Sequence, residues 1–150
     1  MSEIKRCKWC NLKNPPKIKS PDEEWGTPNF NEQYFFEMLI LESFQAGLSW
    51  ECVLNKREAF RKAFDGFNAE KIAVYDDNKI AEIQNNKDII RNKLKIRAAV
   101  NNAKIFLEIQ KECGSFREYL KGFTGEQQII EVDKTTSPLS DALSSDLKKR

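Results

Sequence analysis

The chain has 150 residues, of which 32% are charged and 40% hydrophobic, with a net charge of +2. That length makes a single domain able to bury a core without staples, and the composition is that of a folded chain. No apolar run reaches the length of a membrane span, the N-terminus lacks a signal-peptide core, and four cysteines at irregular spacing make no secreted disulfide framework, so a cytoplasmic protein is expected.

Residues 1–30 carry prolines at 15, 16, 21 and 28 and no sustained period, and read as an irregular N-terminal segment. Helical patterning starts after Asn31, an N-cap candidate, and runs to about Ala46, where Gly47 supplies a stop. Ser49 can cap a second helix with Val53, Leu54, Arg57, Phe60, Arg61 and Phe64 at helical spacing. Asn68 precedes a short helix with Ile72 and Val74, and Asp76 or Asp77 precedes another with Ile80 and Ile83. The polar turn Asn85-Asn86-Lys87-Asp88 leads into the longest pattern, from Ile89 to about Glu112. Gly114 and Ser115 break it, and Phe116 to Leu120 form one short helix more. Residues 122–139 read as loop with an extended piece at Ile129–Val132, and a last helix opens near Ser140-Asp141. Strand signals are scarce, so the expected fold class is all-α over one domain, 1–150.

Without histidine the chain has no Ser-His or Cys-His nucleophile, no H-E-x-x-H zinc site and no H-x-E deaminase site. Acid–base work falls to Asp, Glu, Tyr or Lys. Glu42 stands at the end of an apolar helical pattern, before a small-residue turn and the indole of Trp50. A carboxylate there has either a structural partner, such as a neighbouring Arg, or a task. Wrapped by Trp25 and Trp50, it suits a flat, polar, electron-poor ligand such as a nucleobase; the tryptophans equally suit a plain core. Cys7-x-x-Cys10 is half a zinc site with no second pair in reach.

Two basic clusters bear on partners. One holds Lys87, Arg91, Lys93, Lys95, Arg97 and Lys104 against the single acid Asp88; the other is Lys56, Arg57, Arg61 and Lys62, tempered by Glu58. Each alone reads as a solvated helix face, and the two together tilt toward a polyanion partner. A short helix, a turn and a long basic helix over 78–112 have the form of a helix-hairpin-helix, whose second helix start can hold a DNA phosphate. An ordinary αα-hairpin accounts for the same pattern. Asp88 occupies the hairpin position usually held by glycine, and its charge opposes a nearby phosphate.

Together these segments resemble the 3-methyladenine DNA glycosylase I family. The matching blocks are Arg6-Cys7-Lys8-Trp9-Cys10, Asp22-Glu23-Glu24-Trp25-Gly26, Phe36 to Glu42 leading into Gln45-Ala46-Gly47-Leu48-Ser49-Trp50, Leu54-Asn55-Lys56-Arg57-Glu58, Ile89 to Ile96, Asn102-Ala103, and Ser140-Asp141 with Asp146 to Arg150. The resemblance implies an all-α helix-hairpin-helix glycosylase, acting as a monomer on double-stranded alkylated DNA, which flips out and releases 3-methyladenine. It implies that Glu42 reads the base edge, that Trp9, Trp25 and Trp50 wall the pocket, and that Leu48 wedges into the gap. Ile90, Arg91, Lys93 and Lys95 then lie on the DNA side of the hairpin. No cofactor is implied for the chemistry. Cys7 corresponds to the first ligand of a structural zinc, whose other ligands are missing: Ser20-Pro21 replaces the family's Tyr-His, and the family's C-terminal helix and tail lie past Arg150. These departures set an alternative beside the enzyme, a truncated or catalytically inactive DNA-binding module.

Overall fold

The computed structural model describes Lys13, Glu24, residues 27–126, Ile129 and residues 134–150, which form helices without a strand among them. The all-α expectation holds. The first helix, α1 (Glu32–Gln45), starts where the Asn31 side chain accepts from the Tyr34 amide, and it gives way to Gly47 at φ +80°. α1 buries Phe36, Ile40, Leu41 and Phe44 completely, and it packs on α2 (Trp50–Asn55), on the long α6 (Lys93–Cys113) and on α7 (Phe116–Thr124). Phe44 meets Phe60 edge-on at 4.8 Å, and Phe36 meets Phe106 at 5.1 Å. Burial of each such side chain contributes about 1.5–3 kcal/mol.

The pattern from Val53 to Phe64 reads as one helix, yet the path breaks at Lys56 (φ −101°, ψ 0°), and α3 (Arg57–Ala63) runs on from there. A left-handed turn follows: Asp65, Gly66 and Phe67 have φ of +48°, +66° and +60°. Only glycine adopts such angles without strain. Three contacts hold the turn. Phe67 is fully buried and stacks parallel on Phe64, the Tyr75 hydroxyl donates to Asp65 Oδ2 at 2.5 Å, and the Gln33 amide donates to the Gly66 carbonyl.

Asn68 and Asp76 cap α4 (Ala69–Ala73) and α5 (Asp77–Asn85) through their side chains. The long helix starts later than the apolar pattern suggests. Asn92 caps it, accepting from the Lys95 amide at 3.1 Å, and residues 86–92 form the connection. Ile89, expected as its first residue, is instead a buried anchor of that connection. Asp88 is not among the residues with positive φ, so the turn makes no glycine-like demand there. α7 runs on past Leu120 to Thr124. The last helix, α8 (Pro138–Lys149), opens earlier than Ser140, because Ser137 and Ser140 cap each other reciprocally and Pro138 suits the first helical position. Of the extended piece expected at Ile129–Val132, all but Ile129 lies outside the described residues.

Candidate active site

The carboxylates of α1 divide by helix face. Glu37 turns inward and is buried, where Arg57 Nε donates to it at 2.6 Å and Arg61 Nε at 2.9 Å. Arg57 Nη1 also clasps both oxygens of Glu24, at 2.7 and 2.9 Å. The second basic cluster is therefore no polyanion surface along its Arg57–Arg61 edge. The break at Lys56 re-aims α3, and its arginines neutralise a buried acid instead. Arg57 Nη2 is the one buried side-chain polar atom without a partner among the described residues.

Glu42 is arranged differently. Tyr34, Met38 and Glu42 recur at four-residue spacing, so they line one face of α1. Glu42 lies at an exposed position by area, and among the described residues it has no hydrogen bond or ion pair. The protein mass around it still desolvates the carboxyl and raises its pKa above 4.5. The half-buried Tyr34 phenol is raised as well, by burial first and then by the negative charge of Glu24, with Glu37 and Glu42 adding to it.

Beyond α1 the chain turns sharply. The Leu48 amide donates to the Gln45 carbonyl at 2.7 Å, the Gln45 side-chain amide returns to the Leu48 carbonyl at 3.3 Å, and Leu48 is left exposed. Ser49 then caps α2, accepting from the Cys52 amide at 3.2 Å, and Trp50 opens that helix half-buried against the core. Trp9, Trp25 and Cys7 lie outside the described residues.

At the hairpin, Arg91 and Lys93 are exposed, while Ile90 is half-buried against the core. Lys95 faces inward: its ammonium donates to the Phe44 carbonyl at 2.8 Å and the Ala46 carbonyl at 2.6 Å. Lys56 reaches the other way, to the Asp88 carbonyl at 3.2 Å. Sequence reasoning missed Tyr34, the Glu37 network and both lysine tethers. Four-residue spacing from Glu42 was the available signal for Tyr34; the tethers join residues 32 to 51 positions apart and leave no local trace.

For the zinc, no group of three metal-ligating side chains converges among the described residues, and the chain has no histidine. Cys7 and Cys10, the cysteines nearest that role in the sequence, lie outside the described residues.

Fold and site together define a class: an all-helical protein with an acidic and aromatic turn region beside a basic helix start. The chain belongs to the methyladenine glycosylase family, which matches residues 9–150. It is 39% identical over 152 residues to the DNA-3-methyladenine glycosylase of Haemophilus influenzae, covering 97% of this chain and 81% of the relative. It is 35% identical over 153 residues to DNA-3-methyladenine glycosylase 1 of Escherichia coli, covering 98% and 81%. The crystal structure of a 3-methyladenine DNA glycosylase I superposes with a TM-score of 0.86 at 37% identity, covering 97% of this chain and 82% of that one.

Proposed function

We propose that the protein is a base-excision repair glycosylase that extrudes 3-methyladenine from alkylated duplex DNA and hydrolyses its N-glycosidic bond. The relatives' activity supports the reaction class, and Glu42 carries the reading of the site. It is a carboxylate without a partner among the described residues, desolvated by its surroundings, at the end of α1 where the Leu48–Trp50 turn begins.

The chemistry asks little of the protein. The methylated adenine is cationic in the nucleotide, so its glycosidic bond is already weak. When that bond breaks, its electron pair stays on the purine and neutralises it; water then adds at C1′ and loses a proton. No leaving-group protonation is needed, which suits a chain without histidine. Glu42 holds the base edge through charge-assisted hydrogen bonds, and the Trp50 indole offers a π face to the cation. Unpairing costs least for a damaged base, which adds selectivity. An incoming cation favours the ionised form of Glu42, so desolvation of the empty site is offset on binding.

On the DNA side, α5, the 86–92 connection and α6 serve as a helix-hairpin-helix. The first turn of α6 holds no acidic side chain, Arg91 and Lys93 stand exposed beside it, and this combination favours a phosphate. Leu48 is the wedge that fills the gap left by the extruded nucleotide. No helix among the described residues is long and apolar enough to cross a membrane; a cytoplasmic monomer completes the reading.

The test is release of free 3-methyladenine from methylated duplex by the 150-residue chain. Base release supports the enzyme. Salt-dependent duplex binding without release replaces it with the DNA-binding module.

A further inference from the structure

We infer that Lys95 is a positioning residue that locks the Gly47–Trp50 turn to the start of α6, so that the hairpin and the base-reading turn move as one body. This rests on the proposed glycosylase reading. It departs from the expectation that Lys95 lies on the DNA side of the hairpin.

A helix leaves its last carbonyls without partners and carries partial negative charge there. α1 has no basic residue in its last turn to answer that charge. Lys95 supplies the missing cation from another helix, with its ammonium on the Phe44 and Ala46 carbonyls at 2.8 and 2.6 Å. In its own helix Lys95 is poorly placed, since the first turn of α6 is the positive end of the dipole. The two helix ends relieve each other through one side chain. Gly47, Leu48, Ser49 and Trp50 follow directly on the tethered Ala46 carbonyl. The tether also has a counterpart: Lys56, which follows α2, donates to the Asp88 carbonyl in the hairpin connection at 3.2 Å. With two ammonium groups crossing in opposite directions, a hairpin seated on the backbone fixes where Leu48 and Trp50 stand.

The experiment compares Lys95→Met and Lys95→Arg with the parent chain and with Lys93→Met. Lys95→Met is expected to lower kcat for 3-methyladenine release at saturating DNA by about tenfold, since small misplacement near a reacting centre is costly. The slope of log binding constant against log salt is expected to stay unchanged. Lys93→Met, which removes a phosphate contact, should reduce that slope by about 0.9. Lys95→Arg, whose guanidinium can still donate to both carbonyls, should recover most of kcat. Hydrogen exchange adds a readout independent of activity: the Leu48 amide should exchange faster in Lys95→Met while the Val53 and Val100 amides do not. A reduced salt slope with kcat retained would overturn the inference in favour of direct phosphate contact. Unchanged Leu48 exchange would overturn it outright. Should Lys95→Met not fold, failure of Lys95→Arg to keep kcat and Leu48 protection near the parent's overturns it as well. A parent chain that releases no base sinks the glycosylase reading, while the exchange comparison still decides the tether.

Discussion

Glu37 and Glu42 stand on the same helix, and the protein treats them in opposite ways. Glu37 is buried between two arginines, with a third side chain, Glu24, completing the charge balance. Glu42 is without such partners among the described residues, and desolvation raises its pKa. A carboxylate that has been neutralised holds helices together; one left without a counter-charge is ready for a cation from outside. The contrast separates a structural acid from a ligand-reading acid without appeal to position in the sequence.

The largest expected effect tests the structural half. Glu37→Gln leaves Arg57 buried with half its compensation and should cost about 3–5 kcal/mol of unfolding free energy, the usual penalty for breaking a buried pair. A denaturant titration that finds less than about 1 kcal/mol, the value of an exposed pair, would place Glu37 on the surface side of the contrast. Next comes Glu42→Gln, which removes a charge-assisted hydrogen bond to the base. Its rate loss should correspond to about 1.5–3 kcal/mol, at least tenfold in base release.

The same substitution should leave the fold slightly more stable. A raised carboxyl pKa means that ionisation costs the native state: the contribution is fully favourable below the unfolded pKa and is lost as pH rises through the folded one. Glu42→Gln should therefore melt a little higher than the parent at neutral pH, with the gap closing as pH falls through the raised folded value and gone below the ordinary 4.5. Since the ionised form attracts the base, the acid limb of the activity profile should fall above that value. The smallest effect concerns Tyr34, whose phenol titrates above the ordinary 10 partly because of Glu42. Removing the Glu42 charge should lower it slightly, followed by the ring resonances; an unmoved Tyr34 would mean the two do not share a face.

Much of the fold was legible because capping is local. Asn31, Ser49, Asn68 and Asp76 all cap where their side chains and the following apolar spacing predict, and Gly47 ends α1. The misses arose where tertiary contact overrules local pattern. Ile89 and Ile90 continue the apolar period of α6, but Ile89 is needed as an anchor under the connection and Asn92 is the better cap. The break at Lys56 and the left-handed Asp65–Phe67 turn are imposed by packing against α1 and Phe64, which the sequence does not announce. At the site, Glu42, Leu48 and Trp50 stand out as a motif. The arginines that serve Glu37 look like a surface cluster until the fold brings Glu37 to them.

The central claim is that the partnerless acid reads the base while the paired acid holds the fold. The most direct measurement is 3-methyladenine release from methylated duplex DNA by the parent, Glu42→Gln and Glu37→Gln, each with its melting curve. The account predicts that Glu42→Gln loses release while melting at or above the parent temperature. Glu37→Gln should melt far lower and keep the parent's rate per folded molecule. Release retained in Glu42→Gln, or lost together with its stability, would contradict it.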